Sequence, residues 1–185
     1  GIIETLTDPF METSVQFFNF GDIRGGDNSD RFDVQGTITK NIDGGGGENL
    51  VDYSQRRENF VIDLGGSGGL GITGISRVQG VVGNSASGTG FTSTIRVSSS
   101  ESTWEIGADD PRFGDGVNDG SVIFNNNKVR FENFTHLTGG DGRDTFNYLA
   151  NGGWIGNING GGGTNSINAS ASTRDQQFVV GESSL

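Results

Sequence analysis

A long internal repeat constrains this chain more than any other feature. The run Gly25-Gly26-Asp27-Asn28-Ser29-Asp30-Arg31-Phe32 returns as Gly139-Gly140-Asp141-Gly142-Arg143-Asp144-Thr145-Phe146, 114 residues on. Asn41-Ile42-Asp43-Gly44-Gly45-Gly46-Gly47 returns as Asn157-Ile158-Asn159-Gly160-Gly161-Gly162-Gly163, 116 residues on. Upstream, Val15 to Phe20 matches Val129 to Phe134 at an offset of 114; downstream, Phe60-Val61-Ile62 matches Phe178-Val179-Val180 at 118. The order is kept while the offset drifts by four residues, as small loop insertions would cause. Fixed-order repeats of this kind belong to architectures in which each unit buries its apolar face against its neighbours.

A shorter period lies inside the long one. Gly-rich corners begin at Gly25, Gly44, Gly65 and Gly83, and again at Gly139 and Gly160, spaced by 18 to 21 residues within each group. Between them lie short β-type pieces such as Thr37-Ile38-Thr39, Leu50-Val51-Asp52-Tyr53, Val61-Ile62-Asp63-Leu64, Thr94-Ile95-Arg96-Val97 and Trp104-Glu105-Ile106. Alternation and β-branched residues mark them as strands, and no apolar stripe runs at helical spacing. The spacing predicts an all-β fold, a right-handed parallel β-solenoid (β-helix) of about nine Gly-cornered coils, roughly 40 Å of stack at the inter-strand spacing. A coil must turn sharply at the same place in every layer, and glycine does so without steric cost. A β-sandwich would explain short strands but not corners recurring at this period. Residues 1–185 read as a single domain. The repeat covers about 15–65 and 129–180, and the stretch of about 92–128 reads as an irregular insert in which Asn125-Asn126-Asn127 and Gly114-Asp115-Gly116 form longer loops.

Composition narrows the function classes. The 34 glycines have no three-residue period, which excludes collagen. The 13 phenylalanines cluster in short runs, which a disordered chain would not show. A net charge of −11 argues against nucleic acid and against an anionic membrane surface. With no cysteine there is no disulfide or thiolate chemistry. No apolar run approaches the ~18 residues of a membrane helix, so direct membrane insertion is not expected. The chain opens at Gly1 with no leader-like segment, as a mature or excised portion would.

The sharpest motif is Gly139 to Asn147, which fits the nonapeptide G-G-x-G-x-D-x-U-x of calcium-binding β-rolls. In such a turn, backbone carbonyls and the Asp carboxylate converge on a hard cation. Gly25 to Asp33 fits with Asn28 at the fourth position, which makes Asp27, Asp30, Asp141 and Asp144 the candidate calcium ligands. However, Gly44 to Asp52 and Gly160 to Asn168 carry Asn49 and Asn165 where Asp is expected. Stacked coils would set Asp30 beside Asn49 and Asp144 beside Asn165, one carboxylate where calcium wants two. The bland reading is that these are structural corners whose Asp and Asn satisfy turn amides. No cofactor is otherwise required.

A second acidic cluster, Asp109 and Asp110 followed by Gly114-Asp115-Gly116-Val117-Asn118-Asp119, is a solvated loop, a calcium loop or, with Trp104, a glycan contact. Trp104 and Trp154 could stack on sugars, although packing in the core is the commoner use of tryptophan. Arg112 among those carboxylates is the one dense candidate for a polysaccharide lyase or epimerase centre. The single histidine, His136, lies between Phe134 and Leu137 in a strand and reads as a packed or surface histidine rather than a general base.

The succession Phe131 to Phe134, Leu137 to Phe146 and Gly156 to Gly163, with Tyr53-Ser54 and Val61 to Leu64, resembles the repeat regions of large bacterial surface proteins, the filamentous-haemagglutinin-like and hemolysin-type-repeat adhesins. The resemblance spans about residues 15 to 180. It implies export to the bacterial cell surface or beyond and a fibrous scaffold role. The expectation is a non-enzymatic module of a surface fibre or adhesin that self-associates through the ends of its stack. Glycans or other cells are further candidate partners, and a carbohydrate-binding β-helix is the alternative.

Overall fold

The computed structural model describes residues 21–36, 41–64, 72–81, 91–98, 101–107, 117–154 and 156–179. The Thr37–Thr39 piece, the corners at Gly65 and Gly83, the first copy of the Val15–Phe20 match and the loop carrying Asp109, Asp110, Arg112 and Asp115 lie outside these residues. The chain is all-β, with no helix among the described residues. In chain order the strands are β1 (Ile23–Arg24), β2 (Arg31–Asp33), β3 (Ile42–Asp43), β4 (Leu50–Asp52), β5 (Phe60–Asp63), β6 (Ile72–Thr73), β7 (Arg77–Gln79) and β8 (Ser93–Arg96). They continue with β9 (Ser102–Ile106), β10 (Gly120–Phe124), β11 (Asn127–Glu132), β12 (His136–Thr138), β13 (Asp144–Tyr148), β14 (Asn157–Asn159) and β15 (Ser166–Asn168).

Three sheets form. One has the order β1-β3-β6, one β5-β8-β12-β14 read from its other end, and the largest runs β15-β13-β9-β10-β11-β7-β4-β2. The register stacks like on like. Ile23, Ile42 and Ile72 pair in one row. Ile62, Ile95, Leu137 and Ile158 form a second. Phe32, Val51, Val78 and Phe131 form a third, and Trp104, Phe146 and Ile167 a fourth. Alternation in each short strand thus becomes an apolar ladder inside and a polar ladder outside. Where the ladders meet, aromatic rings fill the core. Trp104 stacks on Phe146 at 5.5 Å and meets Phe131 edge-on at 5.8 Å, while Phe134 meets both Phe131 and Phe60.

Among the described residues, pairing is parallel except at one place. β10 runs antiparallel to both β9 and β11, so the expectation of parallel pairing throughout is corrected in the middle of the large sheet. The cause is local. Asn125 and Asn126 take left-handed φ values of 47° and 61°, the two-residue turn that matches strand twist. Asparagine tolerates this region better than most side chains. The Asn125-Asn126-Asn127 run is therefore a tight hairpin turn rather than a long loop. The stretch read from sequence as an irregular insert holds β8, β9, β10 and the start of β11.

Candidate functional site

The repeated Gly-Gly-Asp corners are built twice with the same bonds. At the first, the Gly26 amide donates to Asp30 Oδ2 at 2.8 Å; at the second, the Gly140 amide donates to Asp144 Oδ2 at 3.0 Å. The Asp30 amide donates to Asn49 Oδ1 at 2.7 Å, and the Asp144 amide to Asn165 Oδ1 at 2.9 Å. Asn49 Nδ2 returns a bond to the Gly46 carbonyl and Asn165 Nδ2 to the Gly162 carbonyl, both 2.9 Å. Gly45 and Gly47 have φ of 73° and 78°; Gly161 and Gly163 have 75° and 72°. These values demand glycine, and the corners are packed so closely that a Cβ on Gly45 or Gly161 would also strike the carbonyl of Gly26 or Gly140.

This geometry places Asp30 beside Asn49 and Asp144 beside Asn165, one acid to one amide. Asp144 is fully buried, and its Oδ1 also accepts the Ser102 amide at 2.9 Å and the Ser102 hydroxyl. The Ser102 hydroxyl in turn accepts Trp104 Nε1 at 2.7 Å. Asp144 therefore ties together three neighbouring layers of the large sheet, those of β9, β13 and β15. Ser102 is a member of this network that the sequence did not signal, because it lies 42 residues away. Asp27 and Asp141 are exposed at the outer bend. Asp27, Asp30, Asp141 and Asp144 belong to no group of three or more acidic or histidine side chains among the described residues. Asp30 and Asp144 answer amide donors of the turn, the role that Asp and Asn commonly take there.

The other candidates separate in the same way. Trp104 has no exposed surface, so it has no face to offer a sugar; its assignment as a glycan contact is corrected by its place at the centre of the aromatic core. Trp154 is half-buried and meets Phe131 edge-on at 6.1 Å. His136 Nδ1 lies 2.6 Å from the Thr135 carbonyl oxygen, on the outer row of β12.

Cations on the outer rows are matched by acids. Arg31 meets Asp33 and Asp52, each at 2.7 Å, and Arg77 bridges Glu132 at 2.7 Å. Arg96 bridges Asp63 at 2.8 Å, and Lys128 meets Glu105 at 2.9 Å. Arg56 is buried, lies 5.0 Å above the Phe60 ring and pairs with Glu58. Burial pushes the Tyr53 phenol well above its usual value, with nearby Arg56 opposing the shift.

An open cleft of about 480 Å³ lies between β6 and the β10–β11 hairpin, floored by Ile72, Ile75, Phe124 and Val129. No carboxylate or histidine is among its described lining residues, and Lys128 at its rim pairs with Glu105.

Compared with protein-family models, curated proteins and solved structures, the chain gives no match.

Proposed function

We propose that this chain is a non-enzymatic structural module of a secreted bacterial surface fibre or adhesin, a right-handed β-solenoid of Gly-cornered coils that associates end to end. The observation that carries the reading is the twice-built corner. The same glycines, the same Asp–Asn bond and the same register recur at offsets of 114 and 116 residues. A chain that repeats its scaffold this closely is organised for length. The buried Asp144 and Asn49 serve as acceptors and donors within the scaffold. The β9–β10–β11 hairpin is then an excursion within an otherwise coil-by-coil stack. The resemblance of the sequence to bacterial surface repeats supports export, and the acidic, polar surface suits that setting.

Light scattering over a wide concentration range, with electron microscopy of the same samples, tests this reading. The expected result is filaments with an axial repeat of about 40 Å per subunit. A chain that remains monomeric at every concentration, or that cleaves uronic-acid polymers, would overturn it.

A further inference from the structure

The two copies of the repeat differ in what lies above them. The β3–β4 turn is covered by β6–β7, with Ile42 paired to Ile72 and Val51 to Val78. Its Asn49 sends a second amide bond to the Gly74 carbonyl of that covering turn at 2.7 Å. Ile75 reaches down to within 2.8 Å of where a Cβ on Gly44 would sit. The equivalent β14–β15 turn has no such cover: β14 and β15 are the last strands of their sheets among the described residues. Ile167, the counterpart of fully buried Val51, is 51% exposed. A hollow of about 180 Å³ opens among Phe146, Ile158, Gly160, Asn165 and Ile167. Phe178 and Val179 add exposed apolar surface, Phe178 resting edge-on against Tyr148.

The molecule therefore contains its own template for what should sit on this face: a parallel Gly-cornered turn with a β-branched or aromatic residue in each apolar row. At the opposite end, β1 and β2 are the terminal strands of their sheets among the described residues, and they carry that pattern in Ile23, Gly25 and Phe32. Resting on the proposed end-to-end assembly, we infer that the β14–β15 face docks the β1–β2 edge of a second copy of this chain in continued register. Ile158 then stacks on Ile23 of the second copy and Ile167 on its Phe32. Asn165 Nδ2 donates to the carbonyl of the second copy's Gly25, as Asn49 does to Gly74. Charge does not oppose the contact. β15 carries no charged residue, and Arg31 and Asp33 on β2 are paired with each other. Edge strands that present unsatisfied backbone groups and apolar side chains together are templates for this kind of addition, and a head-to-tail contact that does not close gives a filament.

The absence of native cysteine allows a clean test. Continued register sets Asn168 opposite Asp33 of the next copy, as Asn147 sits opposite Asn168 within one chain. Asn168→Cys protein mixed with Asp33→Cys protein should give a disulfide-linked heterodimer on mild oxidation, since adjacent strands hold Cα atoms within bridging range. A Thr145→Cys, Ser166→Cys double variant, whose positions pair within one chain, is the positive control for reactivity. In parallel, Ile167→Lys should weaken self-association at least about tenfold while leaving the circular dichroism spectrum and melting temperature of the monomer unchanged. If the native chain associates but the heterodimer does not form and Ile167→Lys associates normally, this docking face is wrong while end-to-end assembly stands. If the native chain never associates, both fall.

Discussion

The β3–β4 and β14–β15 turns are nearly one structure in two settings. Their glycines share φ values within a few degrees, and Asn49 and Asn165 bond the same neighbours. Their exits also agree. The Ser54 amide donates to Asp52 Oδ1, and the Ser170 amide to Asn168 Oδ1. Yet Asn49 is buried and Asn165 half-exposed, and Val51 is sealed where Ile167 is open. Local geometry thus follows the local sequence, whereas burial follows the next layer. The side chains respond to this. Tyr53, which packs on Phe60 at 5.1 Å under Arg56, has Ala169 as its counterpart. The covered copy carries a large aromatic ring where the open copy carries a methyl group.

If the difference between the copies is one of cover, matched substitutions should separate them. The largest gap is expected in the aromatic row. Phe146→Ala removes a fully buried ring stacked on Trp104 and should cost about 3–5 kcal/mol in chemical denaturation. Phe32→Ala, at the half-buried counterpart, should cost less than half of that. Equal losses would mean that Phe32 is as well covered as Phe146.

The paired aspartates come next. Asp144→Ala leaves the Gly140 and Ser102 amides without their acceptor inside the core and should cost roughly 2–4 kcal/mol; Asp30→Ala should cost less. If these carboxylates act on turn amides alone, excess chelator leaves the melting temperature of the native chain unchanged. A chelator-induced fall that Asp144→Ala abolishes would assign the corner to calcium instead.

Asn49→Ala breaks bonds to three backbone groups and should cost about 2 kcal/mol, against about 1 kcal/mol or less for Asn165→Ala. On the docking proposal, the cost at Asn165 rises in the assembled fibre, which melting above and below the association threshold would reveal.

The smallest effect belongs to Tyr53. Its hydroxyl is buried and meets no hydrogen-bond partner among the described residues, so Tyr53→Phe should change stability at neutral pH by less than about 0.5 kcal/mol. The change should appear in alkali. Burial raises the folded-state phenol above its usual value of 10.0, so the folded chain holds a proton that the unfolded chain releases. The contribution is intact below about pH 10 and lost as pH rises beyond it. Tyr53→Phe should therefore flatten the alkaline decline in a pH series of melting temperatures.

Much of this molecule was legible as sequence because its turns are closed by short-range chemistry. Glycine at Gly45, Gly47, Gly161 and Gly163 fixes φ, Asp and Asn reach amides a few residues away, and alternation assigns the inner face of each strand. The repeat therefore fixed the all-β class, the corners and the pairing of Asp30 with Asn49 and Asp144 with Asn165. The tertiary structure alone decided the rest. The bond from Ser102 to Asp144 and the burial of Trp104 join residues that are distant along the chain or compete for the same layer. Trp104 shows the reason most simply: an indole can serve a sugar or a core equally well, and only the rings of Phe131 and Phe146 packing against it exclude the first. Likewise Val51 and Ile167 occupy the same local position, and the presence of β7 above one of them is a fact about the whole chain that neither segment encodes.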